Sequence, residues 1–559
     1  MLLKRWPLFL VTAVALLLWA PRLHGPLDLR YDSGVYLLLG VSLAEGHGYR
    51  ISSEPGTPEA VQYPPLLPAF VALHAKLFHT TDSIQLGTWL RRSYFILFLC
   101  FAIAVLTLAR TQLSPALATL ASVLCLLQLN TYLISDLLFS ELPYALLSVL
   151  FVLVLIRRAT RLSGAVREAL AFLLAAGGFL LRSAGIVLLV AWVAEAVLHR
   201  HWKLAAFRGV LALLPVVLWQ AHVHRVQSSS EYRHPAYTYQ RAAYQFYNVT
   251  YADNMRLTDP FRPELGQVDA SILSQRFLAN LKVIPTSLGE AASTTYGFWR
   301  WGLNELQDKL LHRRPIPEGI VLPPLWLLSA CVFAGLLVMA CRGDWLIGLV
   351  VLGSIFLVCT TPWPGQFSRY LTPLIPFLTL GLVVFVRWIH EAAPSRFEQL
   401  HRLALAGGLS LISLTLLAQG FTAHHVFARR ENDPPMQIAP TSPAQHVFYH
   451  DSHWQNWEKA IDWIRDHTPS QSIVATNLPQ LCYLATGRKA VFPPMEANAE
   501  AARKLLDAVP VSYLIVDELE FLDISRRYGE PAVTGVEPKW RPVFDVGQTR
   551  VFERVSAIE

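Results

Sequence analysis

The sequence predicts an α-helical polytopic membrane protein with roughly eleven transmembrane helices, two large polar loops and a water-soluble C-terminal α/β domain. Three observations carry this. Of the 559 residues, 53% are hydrophobic and only 16% are charged, where soluble domains carry about 25% charged residues. The apolar residues gather in runs close to the ~20 residues that a bilayer core demands. Between those runs, basic residues collect in clusters such as Arg157-Arg158, Arg161 and Arg167, and His199-Arg200-His201-Trp202-Lys203, the distribution that marks cytoplasmic loops.

The first apolar stretch, Leu8 to Ala20, follows Lys4 and Arg5. Pro21-Arg22 stands where a signal peptide would carry small residues, so the stretch reads as an uncleaved anchor with its N-terminus inside. Within the polar stretch 21–92, Pro64–Phe78 is apolar but short and carries three prolines, His74 and Lys76. It is therefore expected as an interfacial helix and not a span. Later spans fall near 93–109, 115–133, 142–156, 168–181, 183–198, 209–224, 320–340, 345–361, 371–387 and 403–421. With Pro64–Phe78 left out, the basic clusters at 157–167, 199–208 and 387–402 all face the cytoplasm. The same parity puts 21–92, 134–141, 225–318, 422–559 and the Arg182 link outside.

The membrane domain thus covers 1–421, with external loops 21–92 and 225–318, and the external soluble domain covers 422–559. The loop 225–318 is rich in aromatic and amide residues, as in Tyr244-Gln245-Phe246-Tyr247, and is long enough for a lid. A folded decoration with an aromatic interfacial belt is the equal alternative. Asn248-Val249-Thr250 is a sequon. In the C-terminal region, Trp457 to Ile464 has helical spacing, while Ser472–Ala475, Val511–Asp517 and Arg550–Arg554 read as strands. The six cysteines form neither a disulfide framework nor a CxxC pair. The net charge of +7 is accounted for by topology, and no nucleic-acid-binding motif accompanies it.

Chemistry is expected among the external polar residues. Asp32 lies in Arg30-Tyr31-Asp32-Ser33-Gly34-Val35-Tyr36, at the mouth of the first span. Two readings stand for it: a functional carboxylate, or the N-cap of an interfacial helix over Val35–Glu45. A second acidic pair, Asp136 and Glu141, occupies the short loop 134–141, where Ser140-Glu141 before Pro143 also suits a helix start. Carboxylates from two outer loops can converge on a metal or share proton chemistry. The external cations Arg91, Arg92, Arg182 and Arg369 suit a lipid phosphate, with snorkelling to phospholipid head groups as the alternative.

These pieces together resemble the GT-C superfamily of membrane glycosyltransferases, in particular bacterial relatives of protein O-mannosyltransferases and aminoarabinose transferases. The resemblance is carried by Tyr31-Asp32-Ser33 through Tyr36, Glu45-Gly46, Tyr63-Pro64-Pro65-Leu66 and Arg91-Arg92-Ser93. Asp136, Glu141, Arg369-Tyr370-Leu371 with Pro373 and Pro376, and Leu484-Ala485-Thr486-Gly487-Arg488 complete it. It implies an extracytoplasmic active face in a cell (inner) membrane and a sugar donor linked to polyprenyl phosphate. It further implies inversion in one displacement, with the acceptor a glycan, lipid or protein. Asp32 matches the first-loop acid that would deprotonate or orient the acceptor. Asp136 or Glu141 matches the second-loop acid, which would support that geometry or bind a divalent metal. Arg182, Arg91, Arg92 and Arg369 are the candidates for the donor phosphate. Ser33 replaces the acid that often follows the first-loop Asp, and Tyr63 replaces a lysine before the Pro-Pro pair, so metal use and the phosphate contact depart from the family pattern. A transporter or flippase of a lipid-linked saccharide, or a non-catalytic scaffold, are the competing classes; no internal repeat supports the first.

Overall fold

The computed structural model describes residues 5–156, 163–311, 317–391, 398–432, 436–437, 443–444, 450–519, 523–535 and 539–555. The basic residues Arg157, Arg158 and Arg161 lie outside the described residues. The chain opens with α1 (Trp6–Trp19), α2 (Asp32–Ala44), α3 (Leu66–Leu77) and α4 (Ser83–Gln112). The bundle continues through α5 (Pro115–Leu127), α6 (Leu129–Ile134), α7 (Glu141–Leu155), α8 (Gly164–Leu181), α9 (Ile186–Leu198) and α10 (Trp202–Gln227). After two short helices, α11 (Ser230–Arg233) and α12 (Tyr251–Met255), come α13 (Ala270–Ala292) and α14 (Tyr296–Leu311). The last part is α15 (Leu322–Cys341), α16 (Trp345–Thr360), α17 (Phe367–Tyr370), α18 (Ile375–Glu391) and α19 (Glu398–Asn432).

Among the described residues, six helices are long and apolar enough to cross a membrane, and seven shorter apolar helices accompany them. Their large apolar side chains often point outward, as at Leu17, Val210, Leu337 and Leu417. An exposed apolar belt of this extent suits acyl chains, not water. Local chemistry sets several boundaries. Asp82 caps α4, accepting from Gln85 N at 2.8 Å, and Leu86, Leu90, Tyr94 and Phe98 bury one face of it. The helix therefore starts well before residue 93, and Arg91 and Arg92 lie in its third turn, not at its mouth. Gln128 separates α5 from α6: its side-chain oxygen accepts from the amides of Asn130 (2.7 Å) and Thr131 (3.3 Å).

Contacts between helix ends define two poles. At one, Gln112 donates to Asp344 at 2.7 Å, and Arg208 bridges Glu168 (2.8 Å) and Glu195 (2.6 Å). At the other, Asp28 N donates to Asp136 O at 3.0 Å and Leu27 N to Gly87 O at 3.0 Å. The loop 225–318 contributes helices that pack on the bundle. Asn280 in α13 donates to the carbonyls of Cys359 and Thr361, both at 2.9 Å, and Gln128 donates to Glu290 O at 3.2 Å. Between these points Gly289 lies so close to α15 that a Cβ would stand 2.3 Å from Leu325 O. Helix α13 thus crosses the second pole of the bundle from the end of α16 to the α5–α6 break.

The two short strands β1 (Met436–Gln437) and β2 (Pro443–Ala444) follow α19, which runs past residue 421 to Asn432. The α/β domain has helices α20 (Ser452–His467), α21 (Pro479–Thr486), α22 (Ala499–Ala508) and α23 (Glu530–Val533). Its strands are β3 (Ile473–Ala475), β4 (Lys489–Val491), β5 (Tyr513–Val516), β6 (Trp540–Val546) and β7 (Thr549–Arg554), in the order β4-β3-β5-β7-β6. The first three are parallel, and β7 runs antiparallel to both β5 and β6. Helix α20 buries Trp454, Trp457, Ala460, Ile461 and Ile464, the stripe expected from its spacing.

This domain is sutured to the loops 21–92 and 225–318. Ala490 N donates to Ser53 O at 2.8 Å, and Tyr239 Oη to Phe492 O at 3.1 Å. Beside that seam, buried Glu54 accepts from Tyr237 Oη (2.9 Å), Gln240 Nε2 (3.2 Å) and Asn248 Nδ2 (2.7 Å). Burial pushes the Glu54 carboxyl above the usual carboxylate range, and the three donors oppose it. The sequon asparagine Asn248 is 1% exposed, so its amide serves as a structural donor and is closed to a glycan.

Candidate active site

Asp32 is the first residue of α2. The N-cap position belongs to Tyr31, which sits at φ 58°, ψ −135° and makes no side-chain capping bond. A non-glycine residue in such a region costs on the order of 1–3 kcal/mol and is held by its surroundings. The capping reading for Asp32 therefore gives way. Its carboxylate turns outward, Oδ2 accepting from Arg369 Nη2 at 2.6 Å and Oδ1 from Tyr247 Oη at 3.2 Å. Burial first, and the Asp32 charge next, hold the Tyr247 phenol protonated far above its ordinary range, so it acts here as a donor.

Glu141 opens α7, and its carboxylate also makes no cap. Oε1 accepts from Arg182 Nη1 and from Arg369 Nε, each at 2.6 Å. Arg182 reaches it from the junction of α8 and α9, where Gly185 packs on the backbone of Gly178; a Cβ there would stand 2.2 Å from the Gly178 carbonyl. Arg369 comes from α17. Its guanidinium lies 4.0 Å from the Phe139 ring centroid, and that of Arg182 lies 5.5 Å from Tyr370. Tyr251 and Tyr370 meet through their hydroxyls at 3.5 Å, and Tyr36 and Tyr63 pack at 4.7 Å beside Tyr247. The result is a chain of alternating charge, Asp32–Arg369–Glu141–Arg182, in an aromatic wall. Glu141 is sealed at 0% exposure, whereas Asp32, Arg182 and Arg369 keep 17%, 16% and 21%, so these three are the parts a substrate can reach.

The other expected residues lie elsewhere. Asp136 sits between Arg91 Nη2 (3.4 Å) and Arg22 Nη1 (3.9 Å), and all three side chains are fully buried. Arg22 also donates to Tyr132 O at 2.6 Å and Leu18 O at 2.9 Å. This cluster ties α1 and α4 to the loop before α7, a separate arrangement from the Asp32 chain. Arg92 is exposed and stacks 4.3 Å over Trp89, which itself stacks on Phe78 at 3.8 Å. Its exposure and aromatic stacking are what a head-group-level side chain shows.

A divalent metal does not fit this donor set. Two guanidinium groups already occupy the positions beside Asp32 and Glu141 where a cation would sit, and Ser33 supplies no second acid. Among the described residues no group of three His, Cys, Asp or Glu side chains is arranged for a metal. What the four side chains can do is different: a pair of fixed positive charges can meet a phosphate, and a carboxylate at their outer edge can take a proton. Tyr247 was not singled out as a site residue by the sequence. Its only signal there is the aromatic-rich run Tyr244–Tyr247, which does not mark which ring turns inward.

The fold is shared with solved membrane proteins. ArnT from Cupriavidus metallidurans in the apo state matches with a TM-score of 0.53 at 11% identity, covering 99% of each chain. The same protein bound to undecaprenyl phosphate matches at 0.52 and 12% identity over 98% of each chain. The apo oligosaccharyltransferase of Archaeoglobus fulgidus matches at 0.51 and 12% identity, over 92% of this chain and 69% of the other. No family model matches the sequence, and neither does any curated protein. The architecture, a helical bundle followed by a C-terminal sheet domain, is the one shared with these proteins.

Proposed function

We propose that this protein is a glycosyltransferase that moves a sugar from a polyprenyl-phosphate donor to an acceptor at the extracytoplasmic face, with inversion at the anomeric carbon. The observation that carries the reading is Arg369, shared between Asp32 and Glu141 in a fold found also in ArnT bound to undecaprenyl phosphate. In this mechanism the donor phosphate engages Arg182 and Arg369, whose charges offset the negative charge that develops as the glycosidic oxygen leaves. Glu141 holds both guanidinium groups in register. As Arg369 turns to the phosphate, Asp32 is released to accept the proton of the attacking acceptor group, and Tyr247 steadies its other oxygen.

The basic residues Arg167, Arg200, Lys203, Arg208, Arg342 and Arg387 lie toward the pole opposite Asp32, which supports a multi-pass inner-membrane protein with a cytoplasmic N-terminus. The four site charges sit at the mouth of the bundle, whereas a transporter would carry them near the bilayer midplane. The acceptor is a glycan, lipid or protein. The reading is tested by turnover of a panel of radiolabelled polyprenyl-phosphate sugars by the reconstituted protein, beside Asp32→Asn of matched thermal stability. Transfer by the parent and its loss in the variant are expected. Equal transfer by both would remove Asp32 from the mechanism.

A further inference from the structure

The backbone that aims Asp32 is gripped from outside the membrane domain. Tyr31, at φ 58°, lies where L side chains are disfavoured, and α2 starts directly from it. The Tyr31 ring meets Trp454 of α20 edge-on, with centroids 5.8 Å apart and planes at 89°. The Arg30 guanidinium lies 4.8 Å from the same indole. Its Nε is pinned by Asp28 at 3.0 and 2.9 Å. Trp454 is itself fixed: it is 2% exposed, packs on Trp457 at 6.1 Å, and its amide donates to Asp451 at 3.2 Å. One turn into α2, Gln480 closes on Gly34, where a Cβ would come within 3.2 Å of the Gln480 Cβ.

We propose that Trp454 is a positioning residue for Asp32: through it the soluble domain holds the Arg30–Tyr31 backbone in the turn that directs the carboxylate at the reaction centre. The proposal rests on the reading of Asp32 as the base. The physical argument is that a strained backbone persists only where surrounding contacts over-determine it. With the indole gone, residue 31 relaxes to negative φ, the first turn of α2 rotates, and Asp32 leaves its register with Arg369 and Tyr247. A residue that touches neither donor nor acceptor would then limit the chemical step, while Arg182 and Glu141, held by other elements, keep their geometry.

The test uses the full chain in nanodiscs, with Trp454→Ala, Trp454→Phe, Tyr31→Ala and Asp32→Asn. Amide hydrogen exchange over 30–34 should rise about ten-fold or more in Trp454→Ala, with α7 and α8 unchanged. Affinity for undecaprenyl phosphate should stay within about two-fold, while kcat falls about 100-fold with donor KM little altered. Trp454→Phe, which keeps a ring against Tyr31, should recover kcat to within about three-fold of the parent. Should Trp454→Ala unfold the soluble domain, Tyr31→Ala removes the other half of the contact and should give the same pattern. Unchanged exchange over 30–34 in the folded variant overturns the proposal, as does a kcat within two-fold of the parent or a parallel fall in kcat and lipid-phosphate affinity. Full turnover by Asp32→Asn would instead defeat the base assignment, leaving the exchange measurement to judge the grip of Trp454.

Discussion

Arg369 and Asp32 form a direct ion pair at 2.6 Å between side chains 337 residues apart. The same guanidinium binds Glu141, so the proposed base, the proposed phosphate ligand and a buried counter-charge are joined through one residue. Removing any member of the chain changes what the others face, and the variants should differ in kind.

Asp32→Asn keeps hydrogen-bonding atoms toward Arg369 and Tyr247, so the fold should survive. Transfer should drop by about 10²–10⁴-fold, the span typical of a lost general base. Single-turnover assays with saturating donor, beside thermal melts, check both parts.

Arg182→Ala should weaken the donor far more than the fold. Glu141 retains Arg369, so its charge stays paired, but one of the two proposed phosphate partners is gone. Donor affinity should fall about 10–100-fold, as for a lost charge-assisted contact. Equilibrium binding of undecaprenyl phosphate measures this, and unchanged affinity would exclude Arg182 from the phosphate site. Glu141→Ala, by contrast, leaves two guanidinium groups without their shared buried partner. It should cost about 3–5 kcal/mol of stability, read as a large loss of melting temperature.

Asn248-Val249-Thr250 should carry no glycan in any host, because the asparagine amide is committed to Glu54. Asn248→Gln should leave the intact mass changed only by the substitution. Glu54→Ala should destabilise the external loops by roughly 2–4 kcal/mol, since Tyr237, Gln240 and Asn248 would lose a common acceptor. Limited proteolysis of the loop 225–269 reports that loosening.

Asp517, buried after β5, has its carboxyl pushed up to about 7 by burial, with Glu518 adding to the effect and Leu519 N, Asn477 and Arg526 opposing it. The folded domain thus holds a proton that the unfolded chain gives up near pH 4. Its contribution to stability is complete below about pH 4, is lost as pH rises toward 7, and is flat above that. Asp517→Asn should therefore raise the melting temperature at pH 8 and change it little at pH 4. A pH series of melts on both proteins decides this.

The hydrophobic runs made most of the bundle legible, because a span must be apolar along its length whatever it packs against. The helices α13 and α14 escaped that reading. Arg276, Pro285 and Glu290 interrupt α13, and its fit to α15 depends on Gly289 and Ser329, which leave no periodic signal. At the site, Asp32, Glu141, Arg182 and Arg369 could be named from external position alone. Position did not separate Glu141 from Asp136, five residues apart, since the sorting is done by Arg22 and Arg91 on one side and Arg182 on the other. Nor did it separate Arg91 from Arg92: adjacent residues on a helix point about 100° apart, and here one is sealed and the other is exposed.

The contacts around Asp32 also set an order of assembly. Tyr247 reaches it across 215 residues and Arg369 across 337, while Arg369 reaches Glu141 across 228. During synthesis Glu141 can meet Arg182 once the α8–α9 junction is made, whereas Asp32 waits for its cation until α17 emerges. Contacts this distant in sequence form late and slowly, so a chain stopped before α17 carries Asp32 and the Glu141–Arg182 pair without the guanidinium that joins them. A prematurely ended copy thus keeps the inner half of the charge chain and leaves Asp32 without Arg369.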